Sequence, residues 1–143
     1  MEGGPDPDNR RPMIWDERRW DRALLEETRA LVALRRAHPA LRTGAHLPLP
    51  HPGSPRLLAF ARTTDRPEEL VLCAANASPE PLKARVFAPY SFLFDALPLR
   101  DLLGRHAETR VSAGSFEVSL PPWGVALYAP QDGTIPGYRF FRS

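Results

Sequence analysis

Asp6, Asp8, Asn9, Arg10 and Arg11 fall within six residues of one another and supply two carboxylates, an amide and two guanidiniums. The run that carries them is Gly3-Gly4-Pro5-Asp6-Pro7-Asp8-Asn9-Arg10-Arg11-Pro12-Met13-Ile14-Trp15. Proline fixes its own φ and keeps the residue before it out of the α region, so this path is expected to be stiff and irregular, with Asp6 and Arg11 extended. Met13, Ile14 and Trp15 are expected to bury its far end against an apolar surface.

Two carboxylates two residues apart suggest glycosidic chemistry, with one acid and one nucleophile or base. The neighbouring arginines argue against that role for Asp6 and Asp8, because guanidiniums favour the ionised carboxylate whereas a general acid must hold its proton near neutral pH. Carboxylate and guanidinium are both planar and make paired hydrogen bonds, a geometry suited to vicinal sugar hydroxyls or to another carboxylate or phosphate. The same residue types also build plain turns whose arginines pair internally. From the spacing alone both readings stand.

The elements that must hold this cluster come next in the chain. Trp20, Leu24, Leu31, Leu34 and His38 recur at helical spacing, widened by Leu25, Val32 and Leu41, with Glu26, Glu27, Arg29, Arg35 and Arg36 on the other side. The pattern predicts a helix over about Arg22 to His38, capped by Asp21, finished by basic residues and stopped by Pro39. Its apolar stripe must be covered or left exposed.

From Ala45 the texture changes to short apolar runs separated by Pro and Gly. Strands are expected at Ala45–Leu49, Leu57–Arg62, Leu70–Asn76, Leu82–Phe87, Ser91–Asp95, Thr109–Ser112, Ser115–Leu120, Val125–Tyr128 and Tyr138–Phe141. Breaks are expected at Pro48–Pro55, Thr63–Pro67, Ala77–Pro81, Leu97–Gly104, Ala113–Gly114 and Pro121–Gly124. Alternation in Leu82-Lys83-Ala84-Arg85-Val86 and Phe116-Glu117-Val118-Ser119-Leu120 marks strands with one buried face. The fold class is therefore mainly β, an antiparallel β-sandwich preceded by one amphipathic α-helix.

Composition narrows the function classes. The chain has 143 residues, 43% hydrophobic and 25% charged, with a formal net charge of +2. A typical (β/α)8 barrel takes ~250 residues, so this chain is too short for one. The near-balanced charge does not call for nucleic acid. No apolar run reaches the ~20 residues of a membrane span, and no basic-then-apolar leader opens the sequence, so the expectation is a cytoplasmic product. Cys73, the single cysteine, is expected to be a buried strand thiol.

Other motifs reduce to structural roles. His38, His46, His51 and His106 are scattered without metal-ligand spacing, Ser54 lacks a nucleophile elbow, and Gly3-Gly4 opens no phosphate-binding helix. Neither a metal nor a cofactor is expected. Asn76-Ala77-Ser78 matches a glycosylation sequon, but turn chemistry suits Asn76 better. Trp123, between Pro122 and Gly124, is either a sugar-stacking platform or, on burial grounds, part of a core or domain interface.

The opening run through Trp15 resembles the loop after the eighth barrel strand in the α-amylase superfamily, glycoside hydrolase family 13. It is most similar to the neopullulanase, cyclomaltodextrinase and maltogenic amylase branch, whose Asp-Pro-Asp-x-Arg-Arg-Pro-Met pattern it carries. The resemblance implies that Asp6 and Arg10 contact glucose units on the non-reducing side of the cleavage point, with Asp8 less important, and that Asn9 occupies a position usually held by Cys or Asn. It also implies that the helix is the last of the barrel. The ending Leu34-Arg35-Arg36-Ala37-His38-Pro39-Ala40-Leu41-Arg42-Thr43-Gly44 is similar to the junction between barrel and sandwich.

Leu58-Ala59-Phe60-Ala61-Arg62, Leu70 to Ser78, Asp101-Leu102-Leu103-Gly104 and Leu120-Pro121-Pro122-Trp123-Gly124-Val125-Ala126-Leu127-Tyr128 echo, in order, that family's C-terminal Greek-key sandwich. The implied division is residues 1–44 as the end of a barrel and 45–143 as the sandwich domain. The family's catalytic carboxylates lie upstream of this loop, and Met1 resembles an internal methionine. The implied protein is thus the C-terminal part of an α-glucan-acting enzyme, with no catalytic residue and no activity of its own. Its implied partners are a catalytic barrel and an α-glucan or maltooligosaccharide, with neither nucleic acid nor membrane. The contrasting reading is a freestanding β-sandwich that binds carbohydrate or protein.

Overall fold

The computed structural model describes residues 4–88, 90, 93 and 95–131. These divide into two compact units, one ending at Leu34 and the other starting at Arg35.

Helix α1 covers Arg22–Ala37. Asp21 starts it as the sequence predicts: its Oδ1 accepts from the Leu24 amide at 3.0 Å, satisfying a donor that the first turn leaves unpaired. Arg35 and Arg36 stand in the last turn, where their charge complements the helix dipole. The predicted end at His38 is one residue too long, because His38 precedes a proline and is extended, at φ −111° and ψ 110°. Pro39 also does more than stop the helix. It opens a second short helix, α2, over Pro39–Thr43, in the first-turn position where its missing N–H costs nothing. No residue of α1 is buried, and Leu24, Leu31 and Val32 are exposed.

The second unit is a sandwich of eight strands among the described residues: β1 Ala45–Pro48, β2 Leu57–Thr63, β3 Val71–Asn76, β4 Leu82–Phe87, β5 Pro98–Asp101, β6 Thr109–Arg110, β7 Ser115–Leu120 and β8 Val125–Pro130. Six form one sheet in the order β1-β2-β3-β8-β5-β6, while β4 and β7 pair separately. All these pairings are antiparallel. The connections β3 to β4, β4 to β5, β6 to β7 and β7 to β8 cross between the sheets. The expected strand Ser91–Asp95 lies partly, and Tyr138–Phe141 wholly, outside the described residues.

The strands that alternate in sequence behave as alternation requires. In β4 and β7, Ala84, Val86, Phe116, Val118 and Leu120 enter the core. Lys83 and Arg85 meet Glu117 on the other face, at 3.1 and 3.7 Å. The Lys83 ammonium, by hydrogen bond and charge, and then Arg85 hold the Glu117 carboxyl below the usual range. Leu72, Ala74, Leu99 and Tyr128 complete the core from the large sheet, with Phe116 and Tyr128 edge-to-face at 6.0 Å.

One expectation fails within the sandwich. The segment Leu97–Gly104 is not wholly a break, since Pro98–Asp101 forms β5, paired with both β6 and β8. Its proline sits at the first strand position, where a ring without an N–H is tolerated.

The large sheet is also covered on its outer face. Ala40, Val71 and Cys73 form a second apolar cluster with Leu41, Phe60, Leu102 and Leu127. Arg62 Nε donates to the Ala40 carbonyl at 3.2 Å and ties α2 to β2. At Gly44 a Cβ would lie 2.5 Å from Ala40 O and 2.8 Å from Thr63 O, so glycine is what lets the chain pass from α2 into β1. Burial pushes the Cys73 thiol up to about 12, with Arg62 opposing weakly. None of the described helices is long and apolar enough to cross a membrane.

Candidate functional site: an exposed carboxylate-guanidinium loop

The loop that opens the first unit turns where an extended path was expected. The Asp8 amide donates to Pro5 O at 2.8 Å and closes a turn over Asp6 and Pro7; Arg10 N then donates to Pro7 O at 3.0 Å in a 3₁₀ turn over Asp8–Arg10. Asp6 therefore stands in a turn, because the backbone hydrogen bond from the Asp8 amide to the Pro5 carbonyl outweighs the local preference for extension. Arg11 is extended as expected, at φ −61° and ψ 147°.

The turn brings the predicted residues together in pairs. Arg10 Nη2 lies 2.7 Å from Asp6 Oδ1, and Arg11 Nη2 lies 3.3 Å from Asp8 Oδ1. All four side chains are more than half exposed. An ion pair in that setting contributes only about 0–1 kcal/mol, so exchanging the partner for sugar hydroxyls costs little. The internal pairing also fits the plain-turn alternative, and geometry alone does not rank the two.

The far end of the loop is less anchored than its sequence suggested. Met13 and Trp15 are exposed. Ile14 is half-buried, and its carbonyl accepts from Trp20 Nε1 at 2.6 Å. Met13, Ile14, Trp20, Leu24 and Leu25 line a shallow, mainly apolar hollow of about 270 Å³.

Several other candidates become structural. Asn76 is buried, and its Nδ2 donates to Glu80 O at 2.7 Å and Pro121 O at 2.9 Å, while Ser78 Oγ donates to Asn76 Oδ1 at 2.8 Å. The sequon is therefore the lock of the β3–β4 turn. His51 and His106 bond backbone carbonyls, and His46 lies against Phe60 at 4.5 Å. No group of three His, Cys, Asp or Glu side chains that could hold a metal occurs among the described residues. Trp123, by contrast, is 65% exposed, so it is not a core residue.

Sequence reading missed Asp101. It is buried at 5% exposure, and its carboxylate accepts four backbone amides, from Leu103, Arg105, His106 and Leu127, at 3.0–3.2 Å. The signal was present in Asp101-Leu102-Leu103-Gly104, where an Asp that caps the amide two residues on is followed by a glycine at φ +67°.

Comparison with known proteins agrees with this architecture. A cyclomaltodextrinase of Geobacillus thermopakistaniensis (strain MAS1) is 30% identical over 129 residues, which is 90% of this chain and 21% of that protein. A cyclomaltodextrinase of a Bacillus species is 38% identical over 72 residues, 50% of this chain and 13% of that protein. The chain is related to the α-amylase family of glycoside hydrolases. An Anoxybacillus α-amylase superposes with a TM-score of 0.68 at 26% identity, over 93% of this chain and 27% of the amylase. The α-amylase of Geobacillus thermoleovorans, solved with acarbose, shares the fold at a TM-score of 0.73, over 94% of this chain and 28% of its own. The chain thus spans about a fifth or less of the curated relatives it matches. No protein-family model matches it.

Proposed function

We propose that this chain is the C-terminal part of an α-glucan-acting glycoside hydrolase or transglycosidase, in which the sandwich supports a catalytic barrel and the opening loop contacts substrate. The observation that carries this reading is the likeness of nearly the whole chain, loop, helix and sandwich together, to part of a cyclomaltodextrinase and of an α-amylase, with the exposed Asp6–Arg10 pair at 2.7 Å as the polar group the loop offers. Similarity to a cyclomaltodextrinase over 90% of the chain supports an α-glucan as the class of substrate. The division into a barrel end at residues 1–44 and a sandwich at 45–143 belongs to the same proposal.

In this reading the loop binds and orients glucose units on the donor side and moves no proton. Asp6 offers acceptors to hydroxyls and Arg10 offers donors, so each meets two groups at once. By itself the chain is expected to hydrolyse no glycosidic bond, and the carboxylates of its opening loop, Asp6 and Asp8, are each engaged with a guanidinium. The exposed stripe of Leu24, Leu31 and Val32 would be the surface that α1 lays against the barrel.

The test is kinetic. In the intact enzyme, Asp6→Ala and Arg10→Ala should lower kcat/KM about 5- to 150-fold, equivalent to ~1–3 kcal/mol of lost hydrogen bonding. The loss should be larger with a long maltooligosaccharide than with a short one and should leave the pH profile in place, with Asp8→Ala milder. Wild-type kinetics in both variants, or a shifted acid limb without a change in length dependence, would return the loop to an ordinary turn.

A further inference from the structure

Among the described residues of the sandwich, Trp123 is the most exposed large hydrophobic side chain. It is 65% exposed and sits at φ +57°, in a left-handed conformation that is a true outlier for a bulky side chain. Such a backbone persists only where its surroundings over-determine it, and here they do. Trp123 N donates to Ser78 O at 3.1 Å, and Gly124 N donates to Pro121 O at 2.9 Å. A Cβ at Gly124 would lie 2.6 Å from the Pro121 ring. Asn76 bridges the two turns by donating to Glu80 O and Pro121 O. The indole is thus held out to solvent by a rigid, doubly tethered turn.

A charged pair shares that end of the sandwich. Arg56 Nη1 lies 2.8 Å from Glu80 Oε2, with both side chains more than half exposed, and the Arg56 carbonyl accepts from Ala77 N at 2.8 Å. Ser78, whose carbonyl holds the Trp123 amide, lies between Ala77 and Glu80 in the same turn. An exposed aromatic ring on a turn that is bonded to the turn carrying a planar carboxylate and a planar guanidinium suits a pyranose, whose C–H face stacks on a ring while its hydroxyls take paired hydrogen bonds. The cost of ordering this platform has already been met by folding.

We infer that Trp123, with Arg56 and Glu80, forms a carbohydrate-binding site on the sandwich, separate from the opening loop and specific for α-glucan chains. The choice of α-glucan rests on the proposed function above. The site moves no bonds; it holds the chain of a polymeric ligand.

The experiment is a titration of the full 143-residue chain with maltoheptaose, followed by the indole N–H signals of ¹⁵N-labelled protein, in which Trp15 and Trp20 serve as internal references. The Trp123 signal should shift with a Kd on the order of 1 mM, a weak affinity in keeping with one stacking platform and one polar pair. Cellohexaose, a β-linked chain, should bind at least about tenfold more weakly.

Trp123→Gly should abolish binding while keeping Tm within about 3 °C of wild type, because glycine accepts the left-handed backbone. Removing Arg56 and Glu80 together should weaken binding several-fold. Asp6→Ala and Arg10→Ala should leave the Trp123 shift and its midpoint unchanged, so failure of the loop reading and failure of this one are distinguishable. No shift at Trp123, equal binding of cellohexaose, or full binding by Trp123→Gly would overturn the assignment. So would self-association of the wild type that Trp123→Gly abolishes, which would make this end of the sandwich a protein contact.

Discussion

Removing the Asp101 carboxylate should cost more stability than any other single polar change in the sandwich. Oδ1 accepts from Leu103 N at 3.2 Å and Leu127 N at 3.1 Å, and Oδ2 accepts from Arg105 N at 3.0 Å and His106 N at 3.1 Å. In Asp101→Ala all four amides lose their partner. The Leu127 amide lies within the sheet and stays unpaired, at about 2 kcal/mol, whereas the three turn amides regain water and lose roughly 0.5 kcal/mol each. The expected total is about 3–4 kcal/mol. Asp101→Asn keeps one carbonyl oxygen but turns an NH₂ toward two donors, so about 2–3 kcal/mol should go. Urea unfolding of the full chain, followed by far-UV circular dichroism, measures both through the midpoint at unchanged slope. A loss below about 1 kcal/mol in Asp101→Ala would refute the idea that this carboxylate staples β5, its following turn and β8.

Gly44→Ala should cost about 2–3 kcal/mol in the same assay, because φ at Gly44 is −63° and suits any residue, so only the close Ala40 and Thr63 carbonyls object. A neutral effect there would mean that the α2–β1 junction yields easily. Cys73 should escape thiol reagents at pH 8 until the chain unfolds. Its folded thiol titrates near 12 against an ordinary 9.0, so the stabilisation is whole below pH 9 and is lost between pH 9 and 12, at up to about 1.4 kcal/mol per pH unit. Cys73→Ala should flatten that alkaline decline, and an identical slope in both proteins would contradict the assignment.

Legibility in the sequence followed how directly each residue's environment was written in its neighbours. Strands β4 and β7 were read to the residue because alternation reports a sheet with one buried face. Strand β3, covered on both faces, gave an unbroken apolar run from Val71 to Ala75 that located the strand but did not reveal α2 across it. Strand β5 hid behind Pro98, and Asp101 hid because a buried carboxylate satisfied by backbone amides looks like any turn residue until the amides are placed. The residue types pointed to Asp6 and Arg10, but not to their pairing with each other at 2.7 Å, and the turn at Pro5–Asp8 depended on backbone bonds that spacing does not specify. For Trp123 only the core alternative fails, since its exposure goes with the tethering of two turns 45 residues apart, at Asn76 and Pro121.

The reading frame upstream of the Met1 codon, followed on the transcript of the source cell, addresses most directly whether this chain works as part of a longer glucan enzyme. The expected result is a frame that continues without a stop into a barrel bearing the catalytic carboxylates, translated as one polypeptide with these 143 residues. A stop codon in frame just before Met1, with a 16.0 kDa product accumulating in the cell, would contradict it and leave a freestanding sandwich.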